Sequence, residues 1–343
     1  MSTDLRSWVR ALPKAELHVH LEGTVSPVSL RRIAQRNGLR IASDAGSLYA
    51  CRDFASFLAA FLRVVDVLRR PLDFAEVAYE YLEASSACGV RHVEFMLSPA
   101  TQRLRVPELN LDTMIRAVAD ACERAESAFG VSSVLVFDMV RNLGSAAALQ
   151  DIELALRHRP RRIIGVGLGG DEKNFPVTDF VRAFQLAGAA GLRLTVHAGE
   201  AAGAQSIVDA VELLHAQRIG HAVAARGRPD VLALLRRRGV AVDACISSNY
   251  VTGAVGAGEP HPLLEFVESG LQVSVNSDDP AFFGTSLVDE YLKAAALGLS
   301  PAQLAALAAN SVRASFAPAA AKQRWLADLN RYPPPASVPT GQG

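Results

Sequence analysis

Eight short runs rich in β-branched and other apolar residues recur along the chain, and the segments between them carry apolar residues at helical spacing. Several runs are apolar at consecutive rather than alternate positions, which is typical of strands buried on both faces. The predicted strands are residues 15–20, 90–97, 131–137, 162–168, 192–198, 217–222, 239–245 and 271–277. Eight strands that alternate with helices predict an α/β fold, a single (β/α)8 barrel of the TIM type.

An extra helical excursion is predicted after the first strand, between Gly23 and Leu72. Ser26 and Pro27 begin one of its helices, since both residue types are favoured at helix N-termini, and Asp53 begins a second. The main alternative fold is a doubly wound open sheet that binds a nucleotide. No GxGxxG follows the first strand, however, and the glycine pair of GLGGDE is too weak a signal for phosphate binding.

The chain of 343 residues is long for one domain, but an α/β barrel commonly reaches this size. We find no internal repeat and no linker in the middle of the chain. The terminal segment RYPPPASVPTGQG is rich in Pro, Ser and Gly and cannot form a core. We therefore predict one barrel domain at residues 1–332 and a disordered Pro-rich tail at residues 333–343.

Charge and hydropathy exclude several classes of partner. The 35 Lys and Arg balance the 35 Asp and Glu, so a net charge of zero gives no attraction to nucleic acid or to an anionic membrane. The N-terminus has no apolar signal region, and no apolar run approaches the ~20 residues that span a bilayer. We predict a cytoplasmic protein. The sequence does not indicate its oligomeric state.

The histidines indicate where a metal would lie. His18 and His20 are two residues apart on the first strand, so both side chains point into the barrel. His197 and Asp278 fall at the ends of two other strands, and in a barrel these ends converge on the rim that carries the active site. An isolated HxH is more often a pair of core histidines, but three His and one Asp around an open position describe a catalytic zinc site. The four cysteines are far apart, which favours buried thiols over a Cys-based metal site.

Other polar residues fall near the same strand ends. Glu200, in the loop after His197, could reach a substrate, although it could equally stabilise the start of the next helix. His221 ends the sixth strand and could orient or deprotonate a water. Asp279 follows Asp278 and could accept a hydrogen bond from a substrate, unless the DDP segment is only a turn.

Two further features could shape a pocket. Gly169 and Gly170 would let a backbone N–H approach a flat ligand closely, or would simply form a turn. The helix after Asp53 carries an apolar stripe, which is usually core but here follows the first histidine strand and could form a wall of the pocket. The stripe consists of Phe54, Phe57, Leu58 and Phe61.

Five segments that follow one another along the chain carry the residues singled out above: PKAELHVHLEGT, GGDE, TVHAGE, RIGHA and SVNSDDP. They resemble the motifs of the adenosine and adenine deaminase family of the amidohydrolase superfamily. The similarity runs from about Leu12 to about Phe316. It implies a barrel with one zinc ion that replaces the 6-amino group of a purine with oxygen and releases ammonia. The resemblance implies that the zinc ligands are His18, His20, His197 and Asp278. It implies that Glu200 protonates purine N1 and that His221 handles the attacking water. It also implies that the backbone of Gly170 contacts N3 and that Asp279 contacts N7.

The motifs disagree about the substituent on purine N9. Glu22 in HLEG is similar to adenine-specific relatives, since adenosine deaminases have Asp there near the ribose, whereas GGDE is closer to members that use nucleosides. We expect Glu22 and the helix of Phe54 to Phe61 to control the opening beside N9. The expected substrate is an adenine nucleoside, either adenosine or a 5′-modified one such as 6-aminodeoxyfutalosine, and free adenine is the alternative.

Two other functions remain to be weighed. A two-metal amidohydrolase would usually need a bridging, carbamylated Lys at the end of strand four, but the nearest lysine, Lys173, lies beyond that strand. A catalytically silent purine-binding protein of the same fold is less favoured, because every catalytic residue of the family motifs is present.

Overall fold

The computed structural model describes residues 3–41 and 45–335. Eight parallel strands follow one another around a sheet in chain order, β1 to β8. The strands are β1 Lys14–His20, β2 Val90–Leu97, β3 Ser132–Val140, β4 Ile163–Gly169, β5 Arg193–Ala198, β6 Arg218–His221, β7 Ala241–Ala244 and β8 Val273–Val275. The predicted strands overlap all eight, and the (β/α)8 barrel is confirmed.

Helices connect the strands and cover the outside of the barrel, as parallel strands require. In the described residues they are α1 Thr3–Ala11, α2 Pro27–Arg36, α3 Phe54–Val65, α4 Pro71–Ser86, α5 Pro99–Arg105, α6 Leu111–Phe129, α7 Gly144–His158, α8 Val181–Ala189, α9 Ala204–Glu212, α10 Pro229–Arg238, α11 Ile246–Val251, α12 Leu263–Glu268, α13 Pro280–Phe283, α14 Leu287–Ala296, α15 Pro301–Ala314 and α16 Ala319–Leu329. None of them is long and apolar enough to cross a membrane.

The excursion after β1 contains α2 and α3, which begin where the sequence predicts. Ser26 caps α2, because its Oγ accepts a hydrogen bond from the Ser29 N–H at 3.1 Å. Asp53 caps α3 in the same way, with its Oδ1 2.7 Å from the Ser56 nitrogen. Both helix starts are therefore confirmed. Residues 42–44 of the predicted excursion lie outside the described residues.

Helix α1, which the sequence patterns do not indicate, lies at the N-terminal end of the barrel. Lys14 is buried there and its Nζ donates to the backbone carbonyls of Val9, Leu12 and Cys88 at 2.8, 3.0 and 2.5 Å. Burial lowers the pKa of Lys14 to about 7, and the three carbonyls replace the water that its ammonium has lost. This end of the barrel is thus filled by protein, and the opposite end is left for chemistry.

At the C-terminal end of the chain, residues 333–335 form no helix or strand. The rest of the predicted tail, residues 336–343, lies outside the described residues. The four cysteines are free thiols, but only Cys122 and Cys245 are buried, whereas Cys51 and Cys88 are partly exposed, so the prediction of buried thiols is right for two of the four.

Side chains as well as backbone join β8 to β1 and complete the barrel. Asn276 Oδ1 accepts hydrogen bonds from the backbone N–H groups of Leu17 at 2.7 Å and His18 at 3.2 Å. Further along, the Asp278 N–H donates to the His18 carbonyl, and the His20 N–H donates to the Asp278 carbonyl. These bonds fix the two histidines of β1 relative to Asp278.

Candidate metal centre and active site

Four side chains that could bind one metal ion meet at the C-terminal end of the barrel. Suitable ligand atoms of His18, His20, His197 and Asp278 all lie within 4.8 Å of one another. Asp278 Oδ1 is 3.3 Å from both His18 Nε2 and His20 Nε2. Three imidazoles and one carboxylate are a ligand set that suits zinc and leaves a position for water. The structure therefore brings the four predicted ligands together.

The surroundings of His18 support a bound metal. Neither ring nitrogen of this buried side chain makes a hydrogen bond within the described residues, and an unpaired buried polar group is costly. The ring also occupies space that only glycine leaves free, since a Cβ at Gly220 would lie 2.6 Å from its Cε1. A metal ion would supply the missing partner, so the residues present fit the predicted ion.

The proton of His197 is placed for metal binding. Its Nδ1 is 3.2 Å from the carbonyl oxygen of Leu168, to which it donates, and its Nε2 is left without a proton. Burial, together with the neighbouring histidines, lowers the pKa of His197 well below its usual range. The ring is therefore neutral, which is the form that binds a metal.

Glu200 lies beside these ligands, in the loop after β5. Its pKa is raised to about 8, first by burial and then by the charges of Asp278 and Glu172. A carboxyl with such a pKa is largely protonated at pH 7 and can donate a proton. Thr252 Oγ1 lies 3.5 Å from Glu200 Oε1 and also lines the cavity. Glu200 therefore has the protonation state that a general acid needs.

Glu172 holds the loop that carries Glu200. Its carboxylate accepts hydrogen bonds from four consecutive backbone N–H groups, with N–O distances of 2.5, 3.1, 2.8 and 3.0 Å. These groups belong to Gly199, Glu200, Ala201 and Ala202. The hydroxyl of Ser206 at the start of α9 donates to the same carboxylate. The loop thus takes its shape from a buried charge on the preceding βα connection.

His221 ends β6 and faces both Glu200 and the metal ligands. Its Nε2 is 3.6 Å from Glu200 Oε2 and 3.9 Å from Asp278 Oδ2. Burial lowers the pKa of His221, so the ring is neutral. The backbone of His221 and Asp278 has positive φ values of 67° and 63°, a conformation that non-glycine residues rarely adopt and that is common at functional sites.

Asp138, at the end of β3, is a site residue that the sequence analysis missed. Its Oδ2 lies 3.9 Å from His20 Nδ1 and its Oδ1 lies 3.9 Å from His197 Nδ1. Burial raises its pKa to about 6. Strand β4 makes room for the carboxyl, because a Cβ at Gly167 or Gly169 would lie 2.7 Å from one of its oxygens. Two glycines of the segment GVGLGG, Gly167 and Gly169, therefore leave space for the side chain of Asp138 on the neighbouring strand.

A cavity of about 370 Å³ opens above the metal ligands. Its lining includes Gly170 and Asp279 together with Glu200 and His221. Its outer wall includes the whole predicted stripe of Phe54, Phe57, Leu58 and Phe61. This volume lies in the range of small-molecule sites, and an apolar wall around a few polar groups is their usual composition.

Asp279 is buried against the excursion after β1. A Cβ at Gly23 would overlap its carboxyl, so glycine is required at that position. Burial raises the pKa of Asp279 well above its usual range, and the charges of Asp278 and Glu22 act in the same direction. Its Oδ1 has no hydrogen-bond partner in the described residues. A protonated carboxyl lining the cavity can donate a hydrogen bond to an acceptor such as purine N7.

Comparisons with known proteins agree with this geometry. Residues 13–332 match the model of a family described as adenosine deaminase. The chain belongs to the adenosine deaminase family. It is 38% identical to the aminodeoxyfutalosine deaminase of Streptomyces avermitilis over 96% of this chain and 93% of that protein. It is 36% identical to the adenine deaminase of Cupriavidus necator strain H16 over 98% of this chain and 97% of that protein.

Solved structures show the same relationship. The adenine deaminase of Arthrobacter aurescens superposes with a TM-score of 0.89 at 36% identity, over 94% of this chain and 99% of that one. An amidohydrolase of Burkholderia ambifaria, crystallised with bound Zn, has a TM-score of 0.90 at 26% identity, over 97% and 94% of the two chains. Membership of this family means that the chain is a hydrolase that deaminates an aminopurine, and that it depends on a metal.

Glu22 is the one predicted substrate contact that the structure does not bring to the cavity. It lies in a short 3-10 helix that turns its side chain towards α5, and it does not line the cavity. Its Oε1 accepts hydrogen bonds from Gln102 Nε2 at 3.1 Å and from the Ser98 N–H at 3.4 Å. The expectation that Glu22 helps to control the opening beside N9 therefore finds no support in the structure.

Proposed function

We propose that this member of the family deaminates an adenine nucleoside, with one zinc ion bound by His18, His20, His197 and Asp278. The observation that carries the proposal is the meeting of these four side chains with Glu200 and His221 at the mouth of the barrel. Three nitrogen ligands and one oxygen ligand favour zinc among the common divalent ions, and the relative from Burkholderia ambifaria binds Zn. The predicted cytoplasmic location stays a prediction.

The residues divide the reaction between them. A bound zinc ion supplies a nucleophile by lowering the pKa of water from about 15.7 to about 7. Glu200 donates its proton to purine N1 as hydroxide adds to C6, which prevents negative charge from building up on the ring. The proton of the new C6 hydroxyl then passes to the leaving amine, giving the 6-oxo purine and ammonia. The proton released when the water ionises goes to solvent, and solvent returns a proton to Glu200 after each turnover, so atoms and charges balance.

Two further groups orient the purine. The backbone N–H of Gly170, a residue with a φ of 94°, donates to N3, and the protonated carboxyl of Asp279 donates to N7. Both line the cavity. Together with Glu200 at N1, they contact three ring nitrogens, which explains how one purine face is selected and C6 is presented to the water.

The outer cavity supports a nucleoside rather than a bare purine. The lining of the cavity extends from the metal ligands and α3 to Leu104, Arg105 and Leu143, so it offers more contacts than those proposed for the purine ring. A ribose or a modified 5′ group would fill this region, as in aminodeoxyfutalosine. Free adenine is the second candidate, since adenine deaminases from Cupriavidus and Arthrobacter are 36% identical to this chain.

An absorbance assay decides between these substrates. Deamination of adenosine, deoxyadenosine, AMP, aminodeoxyfutalosine and adenine is followed for the zinc-loaded full chain, and kcat/KM is compared. The proposal expects at least one nucleoside to exceed adenine, because a hydroxyl lost from a site built to bind it can cost large factors. Turnover of adenine well above that of every nucleoside would make the chain an adenine deaminase.

A further inference from the structure

A chain of hydrogen bonds leads from the start of α12 to the catalytic histidine. The backbone N–H of Leu263 donates to His261 Nδ1 at 3.1 Å. His261 Nε2 is 3.0 Å from Asn249 Oδ1, and Asn249 Nδ2 is 3.0 Å from His221 Nδ1. All three side chains are buried, so no water competes for these contacts.

The donor and acceptor in each of these hydrogen bonds follow from the first one, in which the Leu263 N–H is the donor. A backbone N–H can only donate, so His261 Nδ1 must carry a lone pair and the proton of the neutral ring must be on Nε2. Burial lowers the pKa of His261 to about 4, and the ring is therefore neutral near pH 7. His261 Nε2–H donates to the Asn249 oxygen. The Asn249 amide group must then donate to His221 Nδ1.

We propose that Asn249 and His261 are positioning residues that keep the proton of His221 on Nε2. In this tautomer His221 faces Glu200 and Asp278 as a hydrogen-bond donor. It can orient the attacking water through that N–H, but while neutral it cannot take a proton at Nε2. This assignment rests on the proposed function and decides between the two roles, orienting or deprotonating, that the sequence left open for His221.

The same proton keeps His221 out of the metal site. Ligand atoms of His221, Cys245 and Asp278 also lie within 4.8 Å of one another and form a second possible metal-binding group that shares Asp278. An imidazole nitrogen binds a metal only through a free lone pair. A proton fixed on His221 Nε2 therefore favours the group of three other histidines and leaves the water position open.

The position of the proton can be measured directly. The full chain, labelled with 15N-histidine, is examined by NMR with Zn²⁺ added and without it, and the His221 signals are assigned from their loss in His221→Gln. We expect the wild-type ring to have a protonated Nε2 and a bare Nδ1. Asn249→Asp replaces the donor with an acceptor of nearly the same shape, and we expect it to protonate Nδ1. A wild-type ring with its proton on Nδ1, or unchanged shifts in Asn249→Asp, would overturn the proposal.

A matched pair of variants at His261 separates positioning from packing. His261→Gln keeps an N–H donor for the Asn249 oxygen, whereas His261→Glu offers that oxygen only an acceptor and should reverse the amide. We expect His261→Gln to keep kcat within a few-fold, and His261→Glu to lower kcat by about 10²-fold with KM and zinc content little changed. Equal losses in both variants would indicate a purely structural role. The NMR result does not depend on turnover, so it stands or fails independently of the substrate.

Discussion

Replacing Glu172 tests whether a buried carboxylate shapes the loop of the catalytic acid. Hydrogen bonds to a charged group contribute about 1.5–3 kcal/mol each, and those between neutral groups about 0.5–1.5 kcal/mol. Glu172 Oε2 accepts three of the four backbone N–H groups, those of Glu200, Ala201 and Ala202. In Glu172→Gln the amide oxygen can keep these three bonds without the charge, while the amide nitrogen faces Gly199 and Ser206. At about 1 kcal/mol for each of the three weakened hydrogen bonds, the native conformation of the loop loses roughly 3 kcal/mol of stabilisation.

The expected effect is mainly on kcat. A displacement of roughly 1 Å at a catalytic group can cost about 10²-fold in rate, so we expect Glu172→Gln to lower kcat by between 10-fold and 10²-fold, with zinc content unchanged. The charge of Glu172 also helps to raise the pKa of Glu200 to about 8. Glu200 must be protonated to act as an acid, so kcat/KM falls as pH rises through this pKa. Removal of the Glu172 charge lowers the pKa and should move that alkaline fall to lower pH.

Glu212→Gln is the matched control, because Glu212 is an α9 carboxylate that pairs with Arg238 at the surface. Such exposed ion pairs contribute little, so its kcat, pH profile and unfolding temperature should match those of wild type. Steady-state kinetics across pH, metal analysis and thermal unfolding are measured for both variants. If Glu172→Gln behaves like Glu212→Gln, the loop does not depend on this carboxylate and the reasoning is refuted.

Three further outcomes are expected from the site. Elemental analysis should find one divalent metal ion per active chain and little in His197→Ala; two ions per chain, or full activity after stringent chelation, would contradict the single-metal site. Glu200→Gln should lower kcat by at least ~10²-fold and keep its metal, because the substitution removes a proton donor but no metal ligand. A kcat within a few-fold of the wild-type value would exclude Glu200 as the acid. Asp279→Ala should abolish the preference for adenosine over 7-deazaadenosine, and equal preferences in both proteins would mean that no N7 contact exists.

The barrel and the metal ligands were predictable because their signals are local. Buried parallel strands show as apolar runs, and the rule that active sites lie at strand C-termini places His18, His197 and Asp278 on one rim. The helix starts at Ser26 and Asp53 were predictable for the same reason, since a cap is a contact over three residues. These contacts need no knowledge of how distant segments pack.

The residues that escaped prediction act through distant contacts. Glu172 belongs to a segment whose glycines attract attention first, but its partners lie 27 to 34 residues further along the chain. The only signal for Asp138 is one acid near the end of the apolar run VSSVLVFDMV, and the glycines of the next strand that make room for it suggested a turn instead. Asn249 and His261 carry no pattern that links them to His221 before the fold is known.

Glu22 shows why side-chain length alone could not settle the substrate. The longer carboxylate would matter only if it pointed into the cavity, and the turn after β1 directs it to Gln102 instead. Phe54 and Leu58 on α3 and Leu104 on α5 are the exposed apolar residues that line the cavity in the described part of the chain, and they form its rim. Arg105 stands at the same rim, but Asp66 holds its guanidinium through two hydrogen bonds, so its charge is already compensated. We therefore expect an enzyme for nucleosides and one for the free base to differ in the apolar residues of this rim, where a substituent on N9 would extend towards solvent.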